Sequence, residues 1–434
     1  MQSGTQWSEL SFSIGLLPFI NGHYIVTIYL FYIVRWNVLI IIIGWFTTFV
    51  DGHFIILFSH CIFMSKNKKT IIISTSPKGN SVSNYFFGLA ETFHEKGYAV
   101  VVIVDKKKAN VSINPNFTVL SWPSYRPTSL KDFIFFFKLC KRHKPIFTLG
   151  QFGATNFVLF ISYILRVPKR GVYWHTMLKQ LRTDSKLSKL KFLLFKWRKQ
   201  LLLKCCANVV LTNSTSTKED LIKHFKIAPK QIHVFNILIQ DHFRGNNINS
   251  YEDREQAIAI VGRLHKSKGQ DLVLKQMQGL VKIHSDIKLY IIGHGPERHN
   301  LIELTESLGL THSALFTGDL PQEQVYGHLN KVLLHISASL EEAYGLVNIE
   351  ALSAGTPIVA TKVGGLQETL IEGINGFYFN PNEAESLLKI VRKLQKSNWQ
   401  KFSASARQDF LERFSLSKSN LHKHYLMLDK IINN

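Results

Sequence analysis

From residue 70 onward the sequence alternates short β-branched runs with longer helical stretches, and it does so twice. The first series predicts strands at 70–74, 99–104, 146–149, 171–175, 208–212 and 233–235. A helix is predicted over 82–96, closed by the glycine of Glu95-Lys96-Gly97. The second series predicts strands at 256–261, 288–292, 314–316, 332–336, 357–360 and 376–379. Gly245-Asn246-Asn247-Ile248-Asn249-Ser250, a polar run suited to a linker, separates the two. Strand–helix alternation of this kind gives a parallel sheet with helices on both faces. The expected fold is therefore α/β, with two doubly wound domains in series. Ligands of such sheets sit beyond the carboxyl ends of the strands, so the functional residues belong in a cleft between the domains.

With 434 residues, 31 Phe, 14 Tyr and 7 Trp, the chain has ample material for buried cores, which excludes disorder. Four cysteines, at 61, 140, 205 and 206, make neither a disulfide framework nor a metal-ligand spacing. The formal charge of +22 is concentrated in one segment. Residues 1–63 carry −1, residues 64–243 carry +22 and residues 244–434 carry +1. A basic half joined to a neutral half suggests two domains with different partners, that of the first being anionic. An anionic membrane surface or a phosphorylated lipid fits that charge. Nucleic acid is not expected, because no recognition module accompanies it.

Residues 1–63 form a separate apolar segment. One stretch, 12–34, holds 23 residues without a charge, and a second, 38–63, contains Asp51, His53 and His60. Each exceeds the roughly 20 apolar residues that cross a bilayer. Asp51 near the middle of the second would cost about 2.5–3.5 kcal/mol there. Met64 opens a short basic lead into a buried strand, which looks like a globular start. Two readings stand: a transmembrane hairpin, or an extension that the working protein lacks. In the first case Lys66, Lys68 and Lys69 place the remainder in the cytoplasm.

Three motifs in the second series suit a site. Val261-Gly262-Arg263-Leu264-His265-Lys266-Ser267-Lys268-Gly269 leaves a strand and brings cations to a helix start, where backbone amides favour phosphate. A solvated basic loop would read the same. Ile292-Gly293-His294-Gly295-Pro296-Glu297-Arg298 is a glycine turn of the kind every doubly wound fold has. Glu341-Glu342-Ala343-Tyr344-Gly345-Leu346-Val347-Asn348-Ile349-Glu350 places Glu342 in a loop and Glu350 within the next helix. Apolar neighbours make the position of Glu350 costly for a carboxylate lacking a partner, which points to hydroxyl recognition in a cleft. Two solvated acids on a helix face are the plainer alternative.

Taken in order with Ala354-Gly355-Thr356-Pro357, Gly364-Gly365, Glu368 and Gly373-Ile374-Asn375-Gly376, these motifs resemble the donor domain of the retaining GT-B-fold glycosyltransferases, family four. The resemblance is strong over about 254–415 and one of layout over 70–240. It implies an N-terminal acceptor-side Rossmann-like domain at 64–243 and a nucleotide-sugar donor domain at 250–414. A final helix, 415–434, would cross back to the first domain.

The resemblance also implies roles. Arg263 and Lys268 would grip the donor diphosphate and neutralise the departing nucleotide. Glu342 would hold hydroxyls of the donor sugar beside Gly262, Tyr344 and the Gly345, Leu346 and Val347 amides. Glu350 would hold the ribose and Leu320 would face the base. His175 occupies the histidine position near the reacting sugar, although a lone histidine is as often structural. The first-domain glycine pair is replaced by Ser76-Pro77-Lys78-Gly79-Asn80-Ser81, where Gly79 would approach phosphate. No Asp-x-Asp occurs, so no metal and no cofactor is expected beyond a nucleotide-sugar co-substrate. The implied activity is retaining transfer of a sugar to a lipid-linked or saccharide acceptor, in surface polysaccharide or glycolipid assembly. A nucleotide-sugar epimerase of the same fold, and a non-catalytic membrane-associated protein that kept the fold, are the rival classes.

One further feature bears on the acceptor side. Residues 186–204 carry Leu187, Leu190, Leu194, Trp197 and Leu201 at helical spacing, surrounded by Lys186, Lys189, Lys191, Lys196, Arg198 and Lys199. Such a helix could lie on anionic lipid, or pack its stripe into the core and leave a solvated basic face; both hold if the stripe packs inward while the cations face an anionic membrane. That arrangement would set the chain at the cytoplasmic face of the membrane.

Overall fold

The structure, a computed structural model, describes the strands of the first 58 residues and residues 68–105, 116–125, 127–184, 187–243, 248–383, 385–394 and 396–434. Residues 59–67, Lys186 and residues 245–247 of the expected linker lie outside this set. The chain divides into two compact units, Met1–Lys69 and Thr70–Asn434.

The first unit is an antiparallel meander of β1 (Ser11–Pro18), β2 (Tyr24–Trp36), β3 (Leu39–Val50) and β4 (His53–Phe58). The described parts of the two apolar stretches fall on these strands, and Asp51 lies outside the described residues. Among the described residues no helix is long and apolar enough to cross a membrane.

The second unit holds two parallel sheets. In the first lobe, β5 (Thr70–Thr75), β6 (Ala99–Val104), β7 (Thr118–Ser121), β8 (Phe147–Gln151), β9 (Lys169–Trp174), β10 (Val209–Thr212) and β11 (Ile232–Val234) lie in the order β11-β10-β9-β8-β5-β6-β7. In the second lobe, β12 (Glu255–Val261), β13 (Lys288–Ile292), β14 (Ala314–Gly318), β15 (Val332–Ser337), β16 (Ile358–Ala360) and β17 (Gly376–Tyr378) lie in the order β14-β13-β12-β15-β16-β17. Counted within each lobe, the first sheet runs 3-2-1-4-5-6-7 and the second 3-2-1-4-5-6. The chain reverses direction across the sheet between β5 and β8, and again between β12 and β15. Those two points open the crevices that bind ligands in doubly wound folds.

The helices of the first lobe are α1 (Ser81–Glu95), α2 (Leu130–His143), α3 (Thr155–Ile164), α4 (Leu178–Asp184), α5 (Lys189–Cys206) and α6 (Thr215–Asp220). Those of the second are α7 (Gln270–Val281), α8 (Arg298–Ser307), α9 (Gln322–Lys331), α10 (Leu346–Ser353), α11 (Leu366–Thr369), α12 (Ser386–Lys393) and α13 (Lys396–Asp409). The last helix is α14 (Lys418–Asn433).

Alternation within buried strands sorts the core. Ile71 and Ile73 of β5 face Tyr85, Phe86 and Phe93 of α1. Ile72 joins Val101, Ile103, Phe136 and Val158 on the opposite face, under α2 and α3. Because β5 is covered on both faces, it is an apolar run rather than an alternating one. In the second lobe Ile258 and Ile260 pack with Val273 and Leu274 of α7, while Ala257 and Ala259 face the side of Leu329 and Ile349. Behind Phe414 the chain returns to the first lobe. Ile239 donates to the Phe414 carbonyl and accepts from Leu416, both at 2.7 Å. Then α14 lies on α1, where Tyr85 Oη meets His424 Nδ1 at 2.8 Å and Phe93 packs against Tyr425.

Helix α5 corrects one expectation. Its core contacts come from Phe192, Leu203 and Cys206, not from the leucine stripe. Leu190, Leu193, Leu194, Trp197 and Leu201 are exposed, Leu190 at 68% and Trp197 at 61%. The stripe faces outward because the helix is apolar on two sides, and the side bearing Phe192 fills the groove against α3 and β10. Lys199 is not among the outward cations either. Its Nζ donates to Asn156 Oδ1 of α3 at 2.9 Å, and burial lowers its pKa to about 8.

Candidate active site

The site grows from the two reversal points. Beyond β12 the chain turns through Gly262 and Arg263 into a tight turn, Lys266–Lys268. Gly269 closes it with φ of 65°. A Cβ there would collide with the carbonyl of Ala338 at the end of β15, so only glycine lets the two strand exits touch. This contact brings Lys268 Nζ to 2.5 Å from Glu342 Oε2, which also accepts from Ser339 Oγ at 3.3 Å.

The Glu342–Gly345 loop is backed by Gly364 and Gly365, where added side chains would meet the Glu342 and Ala343 carbonyls. It leads into α10, where the Asn348 amide donates to the Gly345 carbonyl at 3.0 Å and Gly345, Leu346 and Val347 line the cleft. That end of the helix favours negative charge.

Across this loop runs the junction of the lobes. The Ala343 carbonyl accepts from Ser214 Oγ at 2.5 Å and from Thr217 Oγ1 at 3.3 Å. Glu368 Oε1 accepts from the Thr215 amide at 2.6 Å, at the start of α6. Lys179 pairs with Glu341 at 2.7 Å.

A cleft of about 350 Å³ lies between these elements. From the second lobe it is lined by Gly262, Arg263, Lys268, Glu342, Tyr344, Gly345, Leu346 and Val347, and from the first by Val82, Phe152, His175 and Asn213. Only the backbone of Tyr344 serves it, since the ring is buried and its hydroxyl donates to the Ile237 carbonyl at 3.4 Å. A second recess shares Val261, Gly262 and Arg263 and adds Gly293, His294, Asp319 and Leu320. Arg263 stands between the two.

His175 follows β9, with its ring stacked on Phe152 at 4.3 Å and 4° from parallel. Its Nε2 meets Gln151 Oε1 at 3.1 Å. Burial lowers its pKa to about 3, so it is neutral at physiological pH and supplies no cation to the cleft.

Two of the expected residues stand apart. Glu350 does not line the cleft with Glu342. It is buried on α10 against the start of α1, accepting from Gln322 Nε2 at 3.1 Å and Ser81 Oγ at 3.4 Å, and burial raises its pKa to about 7. Gly79 lies in the exposed turn before α1, with φ of 130° and its amide donating to Asn84 Oδ1 at 3.2 Å. Asn80 caps α1 through a reciprocal pair with Ser83, which fixes that turn.

Sequence reasoning missed Gln151, Phe152, Ser81 and Gln322. The available signal was that Gln151 closes, and Phe152 follows, a strand at a reversal point, but the strand was expected to end at 149.

Two parallel sheets, of order 3-2-1-4-5-6-7 and 3-2-1-4-5-6, with both reversal points opening into one cleft, define the GT-B class. The family described as "Glycosyl transferases group 1" matches residues 241–410, and "Glycosyltransferase Family 4" matches residues 82–236. The chain belongs to the GT-B glycosyltransferases of group 1. Among curated relatives, the phosphatidylinositol N-acetylglucosaminyltransferase GPI3 subunit of Saccharomyces cerevisiae strain YJM789 is 25% identical over 313 residues, covering 68% of this chain and 67% of its own. The solved glycosyltransferase of Rickettsia africae ESF-5 superposes with a TM-score of 0.64 at 19% identity, covering 85% of this chain and 99% of that one. The Anabaena HepE structure in complex with UDP and glucose gives 0.62 at 16% identity, covering 83% and 100%. These two likenesses bear on the fold alone.

Proposed function

We propose that the protein transfers a sugar, with retention of anomeric configuration and without a metal, from a nucleotide-sugar donor to a lipid-linked or saccharide acceptor. The observation carrying this reading is the meeting of Lys268, Glu342 and Arg263 in one cleft before the first amides of α10. The two cations and the amides suit a diphosphate, and Glu342 suits sugar hydroxyls. In the proposed step the bond from the anomeric carbon to the diphosphate oxygen breaks, and its electron pair leaves with the nucleotide. The acceptor oxygen bonds to the same face of that carbon, and its proton passes to the leaving phosphate. Arg263 and Lys268 offset the charge that develops on the leaving oxygen, the task a metal performs elsewhere. Glu350 in its pocket of Ser81 and Gln322 is read as the ribose holder.

The test is a screen of nucleotide sugars for hydrolysis and transfer, with the product's anomeric configuration read by NMR. Retention and full activity in EDTA are expected. Inversion, or activity restored only by a divalent cation, would refute the corresponding part. Interconversion of donor sugars without an acceptor would favour the epimerase.

The acceptor side supports a membrane setting at the cytoplasmic face. The exposed stripe of α5 is flanked by Lys189, Lys191, Lys196 and Arg198, a match for anionic lipid. The fungal relative is named for phosphatidylinositol, itself an anionic lipid. Binding to vesicles containing phosphatidylserine, with a blue shift of the Trp197 signal relative to Trp197→Phe, is the expected result. Replacing Lys189 and Lys191 by glutamine should weaken binding about 10- to 30-fold, at roughly 1 kcal/mol per cation. Equal binding to neutral phosphatidylcholine vesicles, or no Trp197 shift, would exclude this surface.

A further inference from the structure

The reversal point of the first lobe holds a residue to which the donor chemistry gives no task. Phe152 follows β8 with φ of 46°, left-handed backbone that a residue with a Cβ adopts unfavourably. Such conformations persist where the surroundings impose them, and they cluster at ligand sites. Phe152 is nevertheless 51% exposed and lines the cleft opposite Lys268 and Glu342. One face of its ring lies flat on His175, so the exposure belongs to the rest of the ring.

Burial of an aromatic ring is favourable, and a strained backbone that leaves the ring half in water forgoes it twice. The neighbouring residue adds a second sign. Gln151 is 2% exposed and gives its Oε1 to His175, while its Nε2 is buried with no hydrogen-bond partner among the described residues. A rigid apolar plate at the cleft wall, next in the chain to a buried unpaired donor that does not itself line the cleft, suits a ligand that is apolar on one face.

We propose that Phe152 is the acceptor platform: the ring face turned away from His175 packs against the C–H face of a cyclic polyol, a pyranose or a cyclitol. The inference rests on the glycosyltransferase reading and adds the class of group that reacts. A chair-shaped polyol carries hydroxyls around its rim and axial C–H groups on its faces. Oxygen substituents leave those hydrogens electropositive, and the π face of phenylalanine is electronegative. Stacking fixes the plane of the ring and leaves its rim hydroxyls free to point across the cleft to the donor. An acyclic acceptor has no such face. The underlying stack on a neutral imidazole holds the plate still, which reduces the ordering cost of binding.

The test uses the full chain with UDP, GDP or ADP, whichever raises its melting temperature, and reads saturation-transfer NMR from the protein to methyl α-glucopyranoside, myo-inositol and glycerol. Transfer to the C–H protons of a ring probe, but not to glycerol, is expected. Phe152→Ala and Phe152→Leu should reduce it at least fivefold, and Phe152→Tyr should retain it. The nucleotide-induced rise in melting temperature confirms that each variant is folded with its donor site present. No ring signal in the wild type, equal signals from ring and glycerol, or an Ala variant equal to wild type would each overturn the platform. So would loss of the nucleotide response in Phe152→Ala with the fold intact, since the residue would then belong to the donor. Failure of every nucleotide to stabilise the wild type is a different outcome, and it would remove the glycosyltransferase reading itself.

Discussion

Lys268→Ala is expected to lower kcat by about 10²–10³-fold, or roughly 2.7–4 kcal/mol, the loss typical of removing one donor aimed at developing charge. Among the described residues Lys268 is one of two cations lining the cleft, and its position is fixed by Glu342 and by the turn closed at Gly269. Lys268→Arg should not restore the rate, because the wider guanidinium cannot occupy the space of an ammonium held by one carboxylate. Glu342→Ala should also abolish transfer, through loss of the sugar contact and release of Lys268. The two residues touch, so the double variant should lose much less than the two single effects combined. The measurement is steady-state transfer, with circular dichroism to show that the fold is retained. A Lys268→Ala enzyme within twofold of wild type would end the site assignment.

The second large effect concerns pH. Burial raises the pKa of Glu350 from its usual 4.5 to about 7. Below about pH 4.5 the carboxyl is protonated both folded and unfolded, and no penalty arises. Between 4.5 and 7 the unfolded chain gives up this proton while the folded protein keeps it, so stability falls as pH rises. Above 7 the loss is complete, about 3 kcal/mol. Glu350→Gln should therefore match wild type near pH 4 and exceed it by up to about 3 kcal/mol at pH 8, as read by urea unfolding.

Binding should move the opposite way. Ribose hydroxyls would donate to the carboxylate and favour its ionised form, so nucleotide affinity in the wild type should rise between pH 6 and 8 with proton release. In Glu350→Gln it should be flat and weaker. Calorimetry in buffers of different ionisation enthalpy measures the proton count. No proton release, together with unchanged affinity in the variant, would detach Glu350 from the nucleotide.

The sequence was most legible where segments are buried on both faces. Ala99–Val104 is an unbroken apolar strand between Gly97 and the polar residues that follow, and its expected limits are those observed. Strand β7 was missed because it is a four-residue edge strand whose first residue is exposed, so it carries no buried run. The helix at α5 was legible but its orientation was not. Phe192 and Leu203 on one side and Leu190, Leu194 and Trp197 on the other are equally apolar, and periodicity cannot choose between two faces. The isolation of Glu350 could be read from its apolar neighbours, but its partner Ser81 is 269 residues away and only the closed lobes bring it near. The left-handed backbone of Phe152 gave no warning. Gly150 and Gly153 flank it, and either would be the natural choice for left-handed backbone.

The carbonyl of Ala343, held by Ser214 and Thr217 of the opposite lobe, lies one residue from Glu342 and two from Gly345. The stretch proposed to grip the carbohydrate is therefore also a rivet between the halves. On that proposal, spent nucleotide would not leave by a swing of the halves that left the grip unchanged. Loosening either would loosen both, and the pace of turnover would be tied to the same few bonds that set what is accepted.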